Sequence, residues 1–249
     1  MNAYEIVLKS REKGRPTAVR YISEIVENFI ELHGDRRYAD DRAIIAGIGT
    51  ISGRPVTVIG IEKGEDTNGR IEHNFGCAHP EGYRKAVRLM KQAEKFHRPV
   101  LCFVDTSGAY CGIGAEERGQ SEAIASSILE MIRLKTPTLS VIIGEGGSGG
   151  ALGLCAADEV WIDENATYSV ISPEGCASIL WKDSAKVAEA AECLKLTADN
   201  LQKLGAVERV LPENEFNEEF FSKLKEDISA FFAEKCKVPA ETLIEARYE

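Results

Sequence analysis

Apolar positions along the chain follow two periods, and their alternation sets the expected architecture. From residue 17 to 31, Val19, Ile22, Ile25, Val26, Phe29 and Ile30 keep helical spacing behind Pro16, which predicts one amphipathic helix. Residues 43–51 and 56–61 are β-rich runs on either side of Ser52-Gly-Arg-Pro55 and predict a hairpin-like pair. Residues 63–76 are polar and predict a loop. A helix is expected from Pro80 to Phe96, with Ala86, Leu89, Met90 and Ala93 on one side.

The middle of the chain repeats one pattern twice. Val100-Leu-Cys-Phe-Val-Asp105 predicts a buried strand that runs into Thr106-Ser-Gly-Ala-Tyr-Cys-Gly-Ile-Gly114 and then a helix over about 115–134. Val141-Ile-Ile-Gly-Glu-Gly-Gly-Ser-Gly-Gly-Ala-Leu152 predicts a strand breaking into five glycines between Gly144 and Gly150, with a small-residue helix over 151–157. A strand is expected at 159–162. Ser172-Pro-Glu-Gly175 carries a helix-start signal, Ser as cap and Pro at the first helical position. Helices follow at 184–194 and 197–204, an apolar run at 206–211 and an amphipathic helix at 217–235. Strand and helix alternate, so the fold class is α/β, read as one domain with a core over about 15–212 and a helical tail over 213–249. No internal repeat or low-complexity segment stands out.

With 249 residues, 44% hydrophobic and 28% charged, the chain is of ordinary globular composition. A net charge of −10 speaks against nucleic acid or an anionic membrane as the main partner. No apolar run reaches transmembrane length and the N-terminus lacks a signal-peptide pattern, so a cytoplasmic location is expected. The seven cysteines are scattered without C-x-x-C spacing, so neither a zinc ribbon nor a thioredoxin-like site is encoded, no metal is expected in this chain, and the compartment reads as reducing. Cys102 and Cys155 lie in apolar runs and read as small core residues.

Three chemistries compete for the second glycine segment. Gly144, Gly146 and Gly149 match the dinucleotide pattern G-x-G-x-x-G, with Asp163 about 20 residues on, which would suit a nicotinamide-dependent dehydrogenase. Against it, the crossover to the next strand is short and the motif lies deep in the chain. Gly146-Gly-Ser148-Gly-Gly150 also matches the nucleophile elbow G-x-S-x-G, but His33, His73, His79 and His97 all precede Ser148, so the hydrolase order fails. The third reading is an oxyanion hole of backbone N–H groups at a helix start, where the dipole favours negative charge. Two strand–glycine–helix units in succession could direct loop amides from both toward one oxygen.

Several segments together resemble the α-subunit family of the bacterial and plastid acetyl-CoA carboxylase carboxyltransferases. They are Phe29-Ile-Glu-Leu-His-Gly-Asp-Arg36, Gly53-Arg-Pro-Val56, Asn74-Phe-Gly76, Pro80-Glu-Gly-Tyr-Arg-Lys-Ala86, Gly108-Ala-Tyr110, the stretch 112–125, Gly144 to Leu152 and Tyr168 to Lys182, in that order over about residues 15–212. The resemblance implies a crotonase fold of repeated ββα units and an α2β2 assembly whose β subunit carries a zinc ribbon. It implies transfer of a carboxyl group from carboxybiotin, on a biotin carrier protein, to acetyl-CoA, giving malonyl-CoA. ATP would be used by a separate biotin carboxylase. It also implies that the Gly149 and Gly150 amides serve the biotin oxygen, with Gly108, Ala109, Tyr110, Gly112, Gly146 and Gly147 as substrate-binding positions and the acetyl-CoA oxyanion hole on the β subunit. A branched side chain at Gly150 would then occupy the space of the ureido oxygen. A rival within the same fold is a scaffold that binds a partner without catalysis.

The chain departs from the family at Ser107 and Cys111, which stand where two prolines are usual and are expected to loosen that loop. The family's long N-terminal helical segment is nearly absent. Arg70, Arg84, Lys85, Arg88 and Lys91 read as a solvated helix face or as contacts for CoA phosphates or the carrier. Glu116, Glu117 and Arg118 read as a helix-start charge cluster or a partner contact. Tyr110 could pack on biotin or close the core, and Trp181 reads as packing.

Overall fold

The computed structural model describes residues 1–213 and 215–248, so positions 214 and 249 of the expected tail lie outside the described residues. The chain opens with α1 (Ala3–Ser10), where Asn2 accepts the Glu5 amide and Glu5 reaches back to the Asn2 amide. The helix expected over 17–31 is split. α2 (Ala18–Ile25) ends where Val26 turns extended, and β1 (Glu27–Glu31) pairs antiparallel with β2 (Ile44–Ile51). Gly47 and Gly49 of β2 explain the change, because the Phe29 ring and Val26 side chain lie where a Cβ at those positions would be.

β3 (Arg54–Ile61) completes the expected hairpin through Ser52 and Gly53, both at positive φ (48° and 78°), the turn whose twist matches the strands. The segment 63–76 is not only loop. Asp66 accepts the Gly69 amide at 2.7 Å and caps α3 (Thr67–Glu72), followed by a 3-10 turn at Asn74–Gly76.

α4 (Pro80–Lys95) forms as expected, with Ala86, Leu89, Met90 and Ala93 fully buried. Its charged positions are not simply a solvated face. Lys85 is fully buried and donates to Asp40 Oδ1 at 2.6 Å and to the Asp41 carbonyl at 2.9 Å. Arg84 pairs with Asp35 at 2.7 Å, and Arg88 donates to the Gly34 carbonyl. The 34–41 segment therefore wraps over this face and takes Lys85 and Arg84 away from any CoA phosphate. Lys91 stays exposed.

β4 (Val100–Thr106) is buried throughout. The helix expected over 115–134 breaks into α5 (Ile113–Glu117) and α6 (Gln120–Arg133), because Gly119 takes a left-handed conformation (φ 80°) between them. β5 (Thr138–Gly147) is longer than expected and carries the first three glycines of its run inside the strand before α7 (Ser148–Cys155) begins. β6 (Glu159–Asp163), β7 (Thr167–Ser169) and α8 (Pro173–Cys176) follow, with Ser172 accepting the Gly175 amide at 3.1 Å as the cap signal implied. A π turn at Ala177–Trp181, α9 (Val187–Leu194), α10 (Ala198–Lys203) and β8 (Arg209–Leu211) lead to α11 (Glu218–Lys235) and α12 (Ala240–Tyr248).

The sheet runs β1-β2-β3-β4-β5-β6-β8, antiparallel through β3 and parallel beyond it. β7 pairs with the far half of β5, past the point where β6 stops. One face is covered by α4, α6 and α7, the other by α2 and α11. Burial on both faces is why the central strands read as unbroken apolar runs.

Candidate functional site

β4 and β5 are parallel neighbours, so the segments leaving their C-terminal ends emerge side by side, the usual place for a ligand crevice in an α/β sheet. Their pairing is not regular. Val104 faces Ile142 and Thr106 faces Gly146, so β5 uses four steps where β4 uses two. The extra residues form a bulge over 143–145, a device that bends a strand and re-aims the residues beyond it.

The re-aimed end of β5 lies against the loop after β4. A Cβ on Gly147 would sit 2.2 Å from the Ser107 carbonyl oxygen, and one on Gly150 would sit 2.5 Å from the Ala109 nitrogen and 2.7 Å from the Gly108 carbonyl carbon. The two glycine segments are thus brought together backbone to backbone. The direction of a Gly150 side chain leads into the Gly108–Ala109 backbone, not into an open space awaiting a ligand oxygen. Gly149 differs, because a Cβ there meets only Ile124, at 3.6 Å.

α7 begins without a side-chain cap, so its first-turn amides, those of Ser148, Gly149 and Gly150, point beyond the helix end. Ser148 and Gly149 border a cleft of about 340 Å³ whose other walls include Leu152, Val170, Leu194, Leu201 and Ala206. Gly150 lies behind, buried. None of Gly108, Ala109, Tyr110, Gly112, Gly146 or Gly147 lines that cleft. Gly146 and Gly147 instead border a small hollow of about 30 Å³ with Ser107.

The loop after β4 is held despite lacking prolines at Ser107 and Cys111. Thr106 Oγ1 bonds both the amide and the carbonyl of Gly108, at 3.0 and 2.9 Å, and Gln120 donates to the carbonyls of Ala78 and Tyr110, each at 2.8 Å. The Tyr110 ring stacks on His79 with centroids 4.3 Å apart. Gly112 caps α5 and lies under the Tyr110 ring. Arg118 pairs with Glu81. Trp181 is exposed, next in sequence to the exposed Ile179 and Leu180, so it does not act as core packing.

Two of the competing readings meet geometric obstacles. Gly144 and Gly146 lie within β5, and Asp163 is completely buried, accepting from the Tyr21 hydroxyl at 2.5 Å, so it is closed to a ribose. Ser148 is exposed, at φ 54°, and no histidine lies among the residues bordering its cleft.

The ionisable residues beneath the turn escaped the sequence reading. Lys63, Asp105, Glu145 and Arg11 converge there from four separate segments of the chain. The one local signal was Glu145, a carboxylate inside a buried glycine run.

The family described as acetyl co-enzyme A carboxylase carboxyltransferase-like matches residues 1–249. The chain belongs to this family. The acetyl-coenzyme A carboxylase carboxyl transferase subunit alpha of Ruminiclostridium cellulolyticum is 59% identical over 254 residues, covering 100% of this chain and 96% of that protein. The protein of the same description from Streptococcus sanguinis is 54% identical, covering 98% of this chain and 96% of its own length. Carboxyl transfer is the enzymatic activity of the family.

Solved structures of low identity share the fold. Transcarboxylase 12S, a hexamer with methylmalonyl-coenzyme A and methylmalonic acid bound, superposes with a TM-score of 0.74 at 19% identity, over 94% of this chain and 44% of that one. A Pseudomonas malonate decarboxylase hetero-tetramer in complex with coenzyme A gives 0.71 at 16% identity, over 85% and 86%. The fold is the crotonase-like α/β fold that the resemblance implied.

Proposed function

We propose that the chain works with a second carboxyltransferase subunit to move a carboxyl group from carrier-borne carboxybiotin to acetyl-CoA, and that the first turn of α7 holds the ureido oxygen. The observation that supports this most directly is the uncapped start of α7 opening onto an apolar cleft. Biotin is a largely apolar bicycle with one polar ureido edge. Leu152, Val170, Leu194, Leu201 and Ala206 suit its ring and thioether, and the Ser148 and Gly149 amides suit its oxygen. Carboxybiotin supplies the carboxyl group and, once that group has left, a basic ring nitrogen. This chain contributes oriented N–H donors and a water-poor wall. Gly150 supports the turn through its contact with Gly108 and Ala109 and adds its own amide to the same helix end. Ile113, Ile179 and Leu180 are exposed apolar side chains of the kind a partner subunit covers.

The acetyl-CoA oxyanion hole is assigned to the partner, so the chain alone is expected to show negligible transfer. The test is biotin-dependent malonyl-CoA decarboxylation by the chain with and without a β subunit. Full turnover by the isolated chain would overturn the reading, and so would an inactive pair that co-elutes intact.

Ser148→Ala is expected to retain activity within a few-fold, because donation comes from the main chain. A loss beyond about 100-fold, with folding and pairing intact, would point to a nucleophilic serine instead.

A further inference from the structure

The bulge in β5 is held by side-chain hydrogen bonds rather than by the ladder. Asp105 Oδ1 accepts the Glu145 amide at 2.9 Å, and Arg15 donates to the Ile143 carbonyl at 2.9 Å. Gly144 between them is required, since a Cβ there would lie 2.6 Å from the Asp105 carboxylate. Lys63, just past β3, donates to Asp105 Oδ1 at 3.0 Å and to Glu145 Oε2 at 2.7 Å. Arg11, at the end of α1, takes the other Glu145 oxygen at 2.7 Å and reaches Glu174 of α8 at 2.7 Å. The lysine and both its carboxylates are largely buried.

We propose that Lys63 is a positioning residue: by clamping Asp105 to Glu145 it holds the bulge that aims the α7 amides into the cleft. The geometry supports this over a purely stabilising role. Asp105 immediately precedes the Thr106–Gly108 loop segment and Glu145 lies three residues before Ser148, so one ammonium links the roots of both glycine segments. Burial works against the charge of Lys63, yet Asp105 and Glu145 outweigh it and hold the ammonium above its usual range. For Glu145, burial acts against its charge and Lys63 and Arg11 prevail, keeping it ionised below the usual carboxylate range. Lys63 and Glu145 therefore stay charged near neutral pH. Without Lys63, Asp105 would lose its cation beside Glu145, which would keep only Arg11, and the weakened pairing would act directly on the bulge.

The proposal rests on the α7 turn being the oxyanion site, so its test carries one readout independent of turnover. In Lys63→Met, hydrogen–deuterium exchange of the amides in residues 144–150 is expected to quicken by about tenfold or more, with the α4 and α11 amides unchanged. In the pair reconstituted with a β subunit, kcat for biotin-dependent decarboxylation is expected to fall about 100-fold while KM for malonyl-CoA stays within about threefold, as for a misaimed donor. Lys63→Arg, which restores a cation, should recover most of both. Unchanged exchange at 144–150 in Lys63→Met would overturn the positioning role whatever the activity. Faster exchange with undiminished kcat would instead separate the bulge from catalysis and refute the α7 reading. If both variants fail to fold, the cluster holds the core and the proposal falls.

Discussion

Gly150→Val is expected to unfold or strongly destabilise the chain, with its loss of turnover a consequence. The first carbon of the new side chain would be placed 2.5 Å from the Ala109 nitrogen, and neither backbone can retreat without dismantling the contact between the glycine segments. Overpacking of this kind costs about 3 kcal/mol or more. In a chain of this size that corresponds to a fall in melting temperature of about 10 °C. Gly149→Ala is the paired control. Its Cβ would meet only Ile124, at ordinary contact distance, so melting temperature and partner binding should hold. A Gly150→Val protein that melts with the wild type would show that the loop contact is not closed.

Asp163→Asn is expected to stabilise the protein at alkaline pH. Burial, and after it the nearby Glu213, pushes the Asp163 carboxyl up to about 8. Its Oδ1 has no hydrogen-bond partner among the described residues. In the unfolded chain the same group titrates near 3.9. The folded state therefore binds the proton more tightly. The stability contributed by this group is full below about pH 4 and is lost as pH rises toward 8. Asparagine keeps the shape and an acceptor for Tyr21 but cannot ionise. The expected gain is on the order of a few kcal/mol near pH 8.5, shrinking toward pH 4. Thermal melts of both proteins across that range decide it, and a lower melting temperature for the variant at alkaline pH would refute the assignment.

Much of the fold was legible because burial leaves a local trace. The hairpin at β2–β3, the Pro80 helix and the Ser172 cap follow from period, turn chemistry and capping, all encoded within a few residues. The misreadings have non-local causes. Val26, Phe29 and Ile30 satisfy either a helix or a strand, and the choice is made by Gly47 and Gly49 of β2, which leave room for a strand to lie on them. Lys85 looked like surface because its partners, Asp40 and Asp41, come from a segment some 45 residues upstream. The candidate site divides the same way. The glycines and the uncapped helix start stand out in the sequence, whereas the bulge depends on Arg11, Arg15, Lys63 and Asp105, which only the sheet order assembles.

The contrast between a closed turn and an open cleft also bears on how such a site can change. Gly147 and Gly150 meet backbone atoms that no single substitution can move, so mutational drift at those positions is confined almost to glycine itself. The cleft walls come mostly from elsewhere: Leu152 from farther along α7, Val170 from the segment after β7, Leu194 from α9 and Leu201 from α10. They can vary one at a time without disturbing the turn. Selectivity for the shape of the bound group can thus be retuned while the donor geometry is inherited unchanged.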